Sequence, residues 1–347
     1  MKIHQKKPFF YCAIRGIVAI CLVGLAACAG NKGPQPKQTS SSSPGAAYKG
    51  QDQSQIAVPA FDGDKAFTYL TDQVHFGPRA PETSAHDSCL KYLQAQLFKY
   101  TPNVVLQNFI QPGYNGAQLH LTNIIASFNT QSTQRILLCA HWDSRPRADQ
   151  EKDIALQSKA IPGADDGASG IAVLLELASI FKNDPPPIGI DMVFFDGEDY
   201  GKESDLNLYC LGAQYFATHL PQGFHPDFGI LLDMVGDKEA EFRKEEISME
   251  NANDVCNLIW GAAQTVHARS FINVAGEGIT DDHLPLNKAG IPTVDIIDAE
   301  LVGNRGTNPR RKYWHTLSDT PDNCSPATLA DVGATLLYLI FAELPHS

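Results

Sequence analysis

The chain has 347 residues, 43% of them hydrophobic, with 27 Lys and Arg against 39 Asp and Glu for a formal net charge of −12. The apolar share is enough for a sizeable core, and the acidic balance argues against nucleic acid and does not favour an anionic membrane surface. The one basic block, Arg310-Arg311-Lys312, reads as a solvated loop.

At the start, Lys2, Lys6, Lys7 and Arg15 precede an apolar run from Gly16 to Ala27 that ends in Leu25-Ala26-Ala27-Cys28. A basic start, a short apolar core and small residues before a cut describe an export signal. The run is short of the roughly 20 residues that a membrane span needs. The Leu-Ala-Ala-Cys ending resembles a bacterial lipobox, which implies loss of residues 1–27 and a lipid on Cys28; an ordinary signal peptide or a membrane anchor are the alternatives. Residues 28–57, rich in Ser, Gln, Gly, Pro and Lys, read as a flexible tether between lipid and domain. Residues 58–347 then form a single domain. Residues 1–27 hold four basic residues and no acid, so the mature charge moves from −12 to −16.

Two amphipathic helices are predicted first, about Phe61–Val74 and Ala85–Tyr100, with Cys89, Leu90, Leu93, Leu97 and Phe98 at helical spacing in the second. Strand-like runs follow at Asn103–Phe109, Leu119–Phe128 and Arg135–Ala140. Helices and strands then alternate: helix Ala168–Lys182, strand Ile190–Phe195, helix Tyr209–His219, strand Phe228–Leu232, helix Asn253–Val266, strand Ile291–Ile297 and helix Pro326–Leu344. Continuous apolar strands are the mark of burial on both faces. The pattern predicts an α/β fold, a three-layer sandwich around a central mixed, mostly parallel sheet. Cys89, Cys139, Cys210, Cys256 and Cys324 remain beside Cys28 after export; the odd number leaves at least one unpaired, and no Cys-x-x-Cys spacing suggests a cysteine zinc site.

Several acids and imidazoles sit where such a sheet binds ligands, just beyond the carboxyl ends of strands. His141, Glu198, Asp199 and Asp233 each follow an apolar strand run directly. In an extended segment His141 and Asp143 share a face, as a metal ligand and a residue that orients ligands, or as a solvated strand end. Asp165-Asp166 lie in a Gly-rich turn before a helix, where one acid can cap the helix and the other bind metal. Asp196-Gly197-Glu198-Asp199 crowds three acids into four residues, a repulsion that a divalent cation relieves. Its neighbouring side chains project differently, so one can bind metal while the other stays free as a base. Asp282 and His283 fit a helix cap and its first turn, and His315, flanked by Trp314, is the natural third ligand. His4, His75, His86, His120, His219, His225, His267 and His346 read as structural or solvated.

Taken in order and spacing, from about Phe61 to the C-terminus, these motifs resemble the zinc aminopeptidase family. The likeness is closer to its offshoot, the animal-type (type II) glutaminyl cyclases. In the dinuclear aminopeptidases the matching residues would be Asp166, Asp199 and His315 at one metal and His141 and Asp233 at a second. Asp166 would bridge them, with Glu198 as general base. The cyclases keep one zinc, on the positions of Asp166, Asp199 and His315. They place an acid where aminopeptidases usually carry Ser, here Asp281, and a Trp before the metal His, here Trp314. Two departures stand out: Asp199 replaces the Glu of the animal enzymes, and the loop Gly201–Leu208 lacks their Trp.

The resemblance implies one Zn²⁺ per chain and cyclisation of N-terminal Gln of peptides and proteins to pyroglutamate, with ammonia released. Glu198 would act as acid and base, Asp281 with Asp233 would steady the leaving nitrogen, and Trp314 would wall the pocket. His141 and Asp143 would serve a second metal or orient the ligands of the first. The expected protein is a monomer, lipid-anchored in the bacterial cell envelope (periplasm or outer membrane). A zinc aminopeptidase with one or two metals is the alternative, and a non-catalytic binding lipoprotein the remoter one.

Overall fold

In the computed structural model, residues 57–202, 205–302 and 313–344 are described. The expected signal and tether up to residue 56 and the Arg310-Arg311-Lys312 block lie outside the described residues.

Two capped helices come first. Asp62 accepts from the Lys65 amide at the start of α1 (Gly63–His75), and Thr83 from the His86 amide at the start of α2 (Ser84–Tyr100). Such caps satisfy amides that the helix leaves without partners. Strands β1 (Val104–Pro112) and β2 (Gln118–Phe128) pair antiparallel, and β3 (Arg135–His141) follows. Then come α3 (Ala168–Asn183), β4 (Gly189–Phe195), α4 (Leu211–Thr218) and β5 (Gly229–Asp233). The last third holds β6 (Phe242–Lys244), α5 (Glu246–Thr265), β7 (Phe271–Ala275), α6 (His283–Lys288), β8 (Thr293–Ile297) and α7 (Pro326–Tyr338), which runs on into a π-helical turn to Glu343.

The main sheet has the order β1-β2-β4-β3-β5-β8. β2 pairs antiparallel with β4, while β4, β3, β5 and β8 are parallel to one another. The expected mixed, mostly parallel sheet is therefore present.

Alternation along its strands separates the two faces. Ile136, Leu138, Ile190, Met192, Phe194, Ile230, Val294 and Ile296 join the large core under α1, α2, α3, α5 and α7. Leu137, Cys139, Val193, Phe195 and Leu231 face the other way, onto Ala213 and Phe216 of α4 and Leu286 of α6. The result is the expected three-layer sandwich. Each such fully buried side chain contributes about 1.5–3 kcal/mol of transfer free energy. These terms are what hold the strand ends in place.

The differences from expectation fall in the last third. Helix α5 begins at Glu246 rather than near Asn253, because Glu245 caps it through the Ile247 and Ser248 amides and a kink at Ala252 interrupts its period. The short β6, β7 and α6 carry too few residues for a readable period.

Candidate metal centre and active site

Four parallel strands deliver the site at one edge of the sheet. β3 ends at His141, β4 runs into Asp196-Gly197-Glu198-Asp199, β5 ends at Asp233 and β8 carries Asp295. Gly197 turns the chain after β4 with φ 73°, a left-handed value that suits glycine. The turn is pinned from both sides. Asp196 accepts from the Thr122 amide at 2.7 Å and lies 2.8 Å from His86 Nε2, while the His86 ring stacks on Trp142. Asp143 accepts from the amides of Glu198 at 3.0 Å and Asp199 at 3.3 Å. His86 is thus structural, and Asp143 positions the Glu198-Asp199 pair as well as facing His141 Nδ1 at 3.4 Å.

Before α3, neither Asp165 nor Asp166 caps the helix; Gly167 occupies the cap position with φ 102°. A Cβ there would stand 2.2 Å from the Asp143 carbonyl oxygen, so glycine lets the two loops meet. Asp165 instead turns inward, to the Gly236 amide at 2.7 Å and the Tyr313 hydroxyl at 2.8 Å. Asp319 accepts from the amides of Asp165 and Asp166, which leaves the Asp166 carboxylate aimed at the strand ends.

Asp166, Asp199 and His315 offer ligand atoms that all lie within 4.8 Å of one another. His315 Nε2 is 3.4 Å from Asp166 Oδ2 and 3.3 Å from Asp199 Oδ1. Zinc bonds of about 2.0–2.1 Å at tetrahedral angles set ligand atoms about 3.3 Å apart. The Asp199 Oδ2 atom is buried with no hydrogen-bond donor. An orphaned carboxylate oxygen beside a histidine and a second carboxylate fits a divalent ion. A second trio, His141, Asp166 and Asp233, meets the same distance criterion, with His141 Nε2 3.1 Å from Asp233 Oδ1.

Protonation follows the same geometry. Burial favours a neutral Asp166, yet His141 and His315 outweigh it and hold the carboxylate far below its usual range. Burial likewise opposes a charged His315, but Asp199 and Asp166 raise its proton affinity. Glu198 is raised well above the ordinary glutamate value, first by burial and then by Asp199. Asp233, Asp281 and Asp295 are raised too, again by burial first; Asp166 adds to the rise of Asp233, Asp233 adds to that of Asp281 and Asp295, and Asp282 is pushed up to about 8. This cluster shares fewer charges than it has carboxyls.

Several neighbours carry no local signal in the sequence. Arg145, 1% exposed, donates to Asp199 Oδ1 at 2.6 Å and to both oxygens of Asp149. Asp149 stands 3.6 Å from His315 Nδ1. The only available hint is spacing, since Arg145 continues the alternation of His141 and Asp143. Trp314 is half-buried with its ring stacked on His315 at 3.6 Å, so it braces the imidazole. Asp282 stands at the start of α6 but makes no capping bond. His283 packs between Glu245 and Asp295.

Residues 123–340 match peptidase family M28, and the chain belongs to that zinc-dependent family. More particularly, it is similar to the glutaminyl cyclase of Bacteroides thetaiotaomicron, whose structure was solved with N-acetylhistamine bound. The two are 41% identical, with 83% of this chain and 100% of that one covered and a TM-score of 0.78. A Zn-dependent exopeptidase from Parabacteroides distasonis is 40% identical over 83% of this chain and 100% of its own, also at TM-score 0.78. The glutaminyl-peptide cyclotransferase of the snake Bothrops jararaca is 24% identical over 64% of this chain and 66% of its own length.

Proposed function

We propose that the chain is a glutaminyl-peptide cyclotransferase that closes N-terminal Gln of peptides and proteins to pyroglutamate and releases ammonia. The observation that carries this reading is the place of Asp281. It offers a carboxylate oxygen within 4.8 Å of Glu198, beside the Asp166–Asp199–His315 trio. In the resemblance this acid stands where the aminopeptidases usually carry Ser, so it is the residue that separates the two chemistries. The similarity to the Bacteroides cyclase over that chain's whole length supports the same reading.

Asp166, Asp199 and His315 would hold one zinc ion per chain. Bound there, zinc supplies Lewis-acid polarisation of the substrate's γ-amide carbonyl. Glu198 takes a proton from the substrate's α-amino group, whose nitrogen then bonds to the γ-carbonyl carbon. It returns that proton to the amide nitrogen as the carbon–nitrogen bond breaks, so ammonia leaves and no net proton is consumed. A carboxyl of raised proton affinity suits both halves of this exchange. Asp281 and Asp233, sharing a proton between them, hold the departing nitrogen. Trp314 walls the pocket beside His315. The nucleophile is already part of the substrate, and well-aligned intramolecular attack reaches effective molarities of roughly 10⁵ M or more. One ion therefore suffices, and His141 with Asp233 serves as a hydrogen-bonded pair.

The export pattern of residues 1–27 and the tether to residue 57 support an enzyme held by a lipid on Cys28 in the bacterial cell envelope. The proposed donors all come from one chain, so the monomer expected from the sequence needs no residue of a second copy at its site. A zinc aminopeptidase is the second reading, favoured by the His141–Asp166–Asp233 trio as a place for another ion.

Ammonia release from a Gln-initiated peptide, run beside leucine release from a Leu-initiated one, separates the two. Ammonia with about one zinc per chain is expected; released leucine with two tightly held ions would overturn the proposal. Glu198→Gln is expected to keep its zinc and lose nearly all turnover, as metal analysis and the ammonia assay on one sample would show.

A further inference from the structure

One buried thiol stands apart from the other cysteines. Cys210 lies at the start of α4 with φ 55°, an uncommon left-handed value for a residue with a side chain. Its amide donates to the Glu198 carbonyl at 2.8 Å, which clamps the two residues together. The thiol then points at the Glu198 carboxyl, with Sγ 3.5 Å from Oε1.

The thiol also faces two acids of the next loop. Single ligand atoms of Cys210, Glu198 and Asp281 all lie within 4.8 Å of one another. Asp282 follows directly in the chain, its amide donating to Asp281 Oδ1 at 2.5 Å. Asp281 Oδ2 and both carboxylate oxygens of Asp282 are buried without any donor, in residues only 3% and 0% exposed. A cavity of ≈ 520 Å³ is lined by both Cys210 and Asp281, along with Tyr209, Leu284 and Pro285. None of Asp166, Asp199 and His315 is among its lining residues. Cys210 is the only cysteine in any such grouping of metal-ligating atoms among the described residues.

We propose that Cys210, Glu198 and Asp281 form a second, thiolate-containing cation site beside Asp282, separate from the Asp166–Asp199–His315 trio, in which a divalent ion such as zinc or cobalt ties up Glu198 and stops turnover. Zinc bonds of about 2.3 Å to sulfur and about 2.0 Å to oxygen, at the tetrahedral angle, separate the two ligand atoms by about 3.5 Å. That is the spacing of Cys210 Sγ and Glu198 Oε1. On binding, the thiol and any protonated carboxyl of the site give their protons to solvent, and the thiolate joins the carboxylates around the ion. The incoming charge gives the orphaned oxygens of Asp281 and Asp282 the partner they lack. The cavity supplies an approach to the sulfur side of the site. Binding stands on this geometry alone, whereas inhibition rests on Glu198 being the acid–base group.

Cobalt(II) titrated into the mature protein already holding one zinc tests both halves. Asp and His ligands give no thiolate-to-metal charge-transfer band, so such a band reads the sulfur site. The expected result is a band that grows with the second equivalent while ammonia release falls in step. Cys210→Ser and Cys210→Ala should lack the band and should lose sensitivity to the added ion relative to their own untreated rates. In the unmodified protein, the added ion should shield Cys210 from iodoacetamide, read by peptide mass spectrometry; this readout does not require a folded variant. A band unchanged in both variants, or a second ion that binds without a band or shielding, overturns the site. A band that grows while ammonia release is untouched overturns the inhibition and, with it, the role given to Glu198.

Discussion

Arg145 shows how much of the centre is set by side chains that touch no substrate. Its guanidinium holds Asp199 Oδ1 and both oxygens of Asp149, so the Asp199 carboxylate is fixed beside His315 with its other oxygen free of donors. Removing residues that orient metal ligands typically lowers metal affinity 10–100-fold. Arg145→Met should weaken zinc binding by about that factor in competition against a chelator, with the circular dichroism spectrum retained; unchanged affinity would refute the bracing role. His141, Glu198, Asp199 and Asp233 were legible because each follows an apolar run, and Asp143 because it shares a face with His141 in an extended segment. Arg145, Asp149 and Asp319 were not, since nothing in their neighbourhoods distinguishes a buried charge from a solvated one. The Asp165-Asp166 turn was half legible. Its acids looked like helix caps, yet Asp319, more than 150 residues away, takes their amides instead.

At the scale of elements, helix α3 links core packing to the centre. Gly170, one turn after Asp166, lies against β5 so closely that a Cβ would fall 2.2 Å from the Leu232 carbonyl oxygen and 2.9 Å from Ala140 Cβ. Overfilling such a contact costs about 1–3 kcal/mol. Gly170→Ala should lower unfolding free energy by that amount in urea titrations. It should also weaken zinc binding, because the shifted helix carries Asp166 with it; stability and affinity both intact would show that the helix yields freely. The buried strands β3, β4, β5 and β8 were readable because apolar residues dominate each, with a single interior Asp in β4 and in β8, and such segments have few other uses. Short β6, β7 and α6 were not, and their placement comes from tertiary pairing: β6 with β7, and α6 against the sheet through Leu286.

Across the whole molecule, burying so many carboxyls at one edge of the sheet links stability to pH. Asp282 rises from 3.8 to about 8, chiefly through burial, with His141 opposing and Asp143 and Asp233 adding to the rise. A carboxyl whose value is raised on folding contributes its full stability below the unfolded value and loses it as pH climbs through the folded one. In the metal-free protein this component should therefore decline between about pH 4 and about pH 8. Asp282→Asn should flatten the decline in unfolding free energy measured across that range; an unaltered slope would mean the group ionises without penalty. The overall architecture was the most legible level, since alternating helices and doubly buried strands admit few layer arrangements. The chemistry within it was less so, because the carboxylate cluster assembles from loops up to about 100 residues apart in sequence.

All five cysteines in the described part are free and buried, at Cys89, Cys139, Cys210, Cys256 and Cys324. The domain is thus held by packing and hydrogen bonds, with no covalent cross-link among the described residues. No bond among those residues is therefore open to reduction, and the described fold does not draw on the redox state around it.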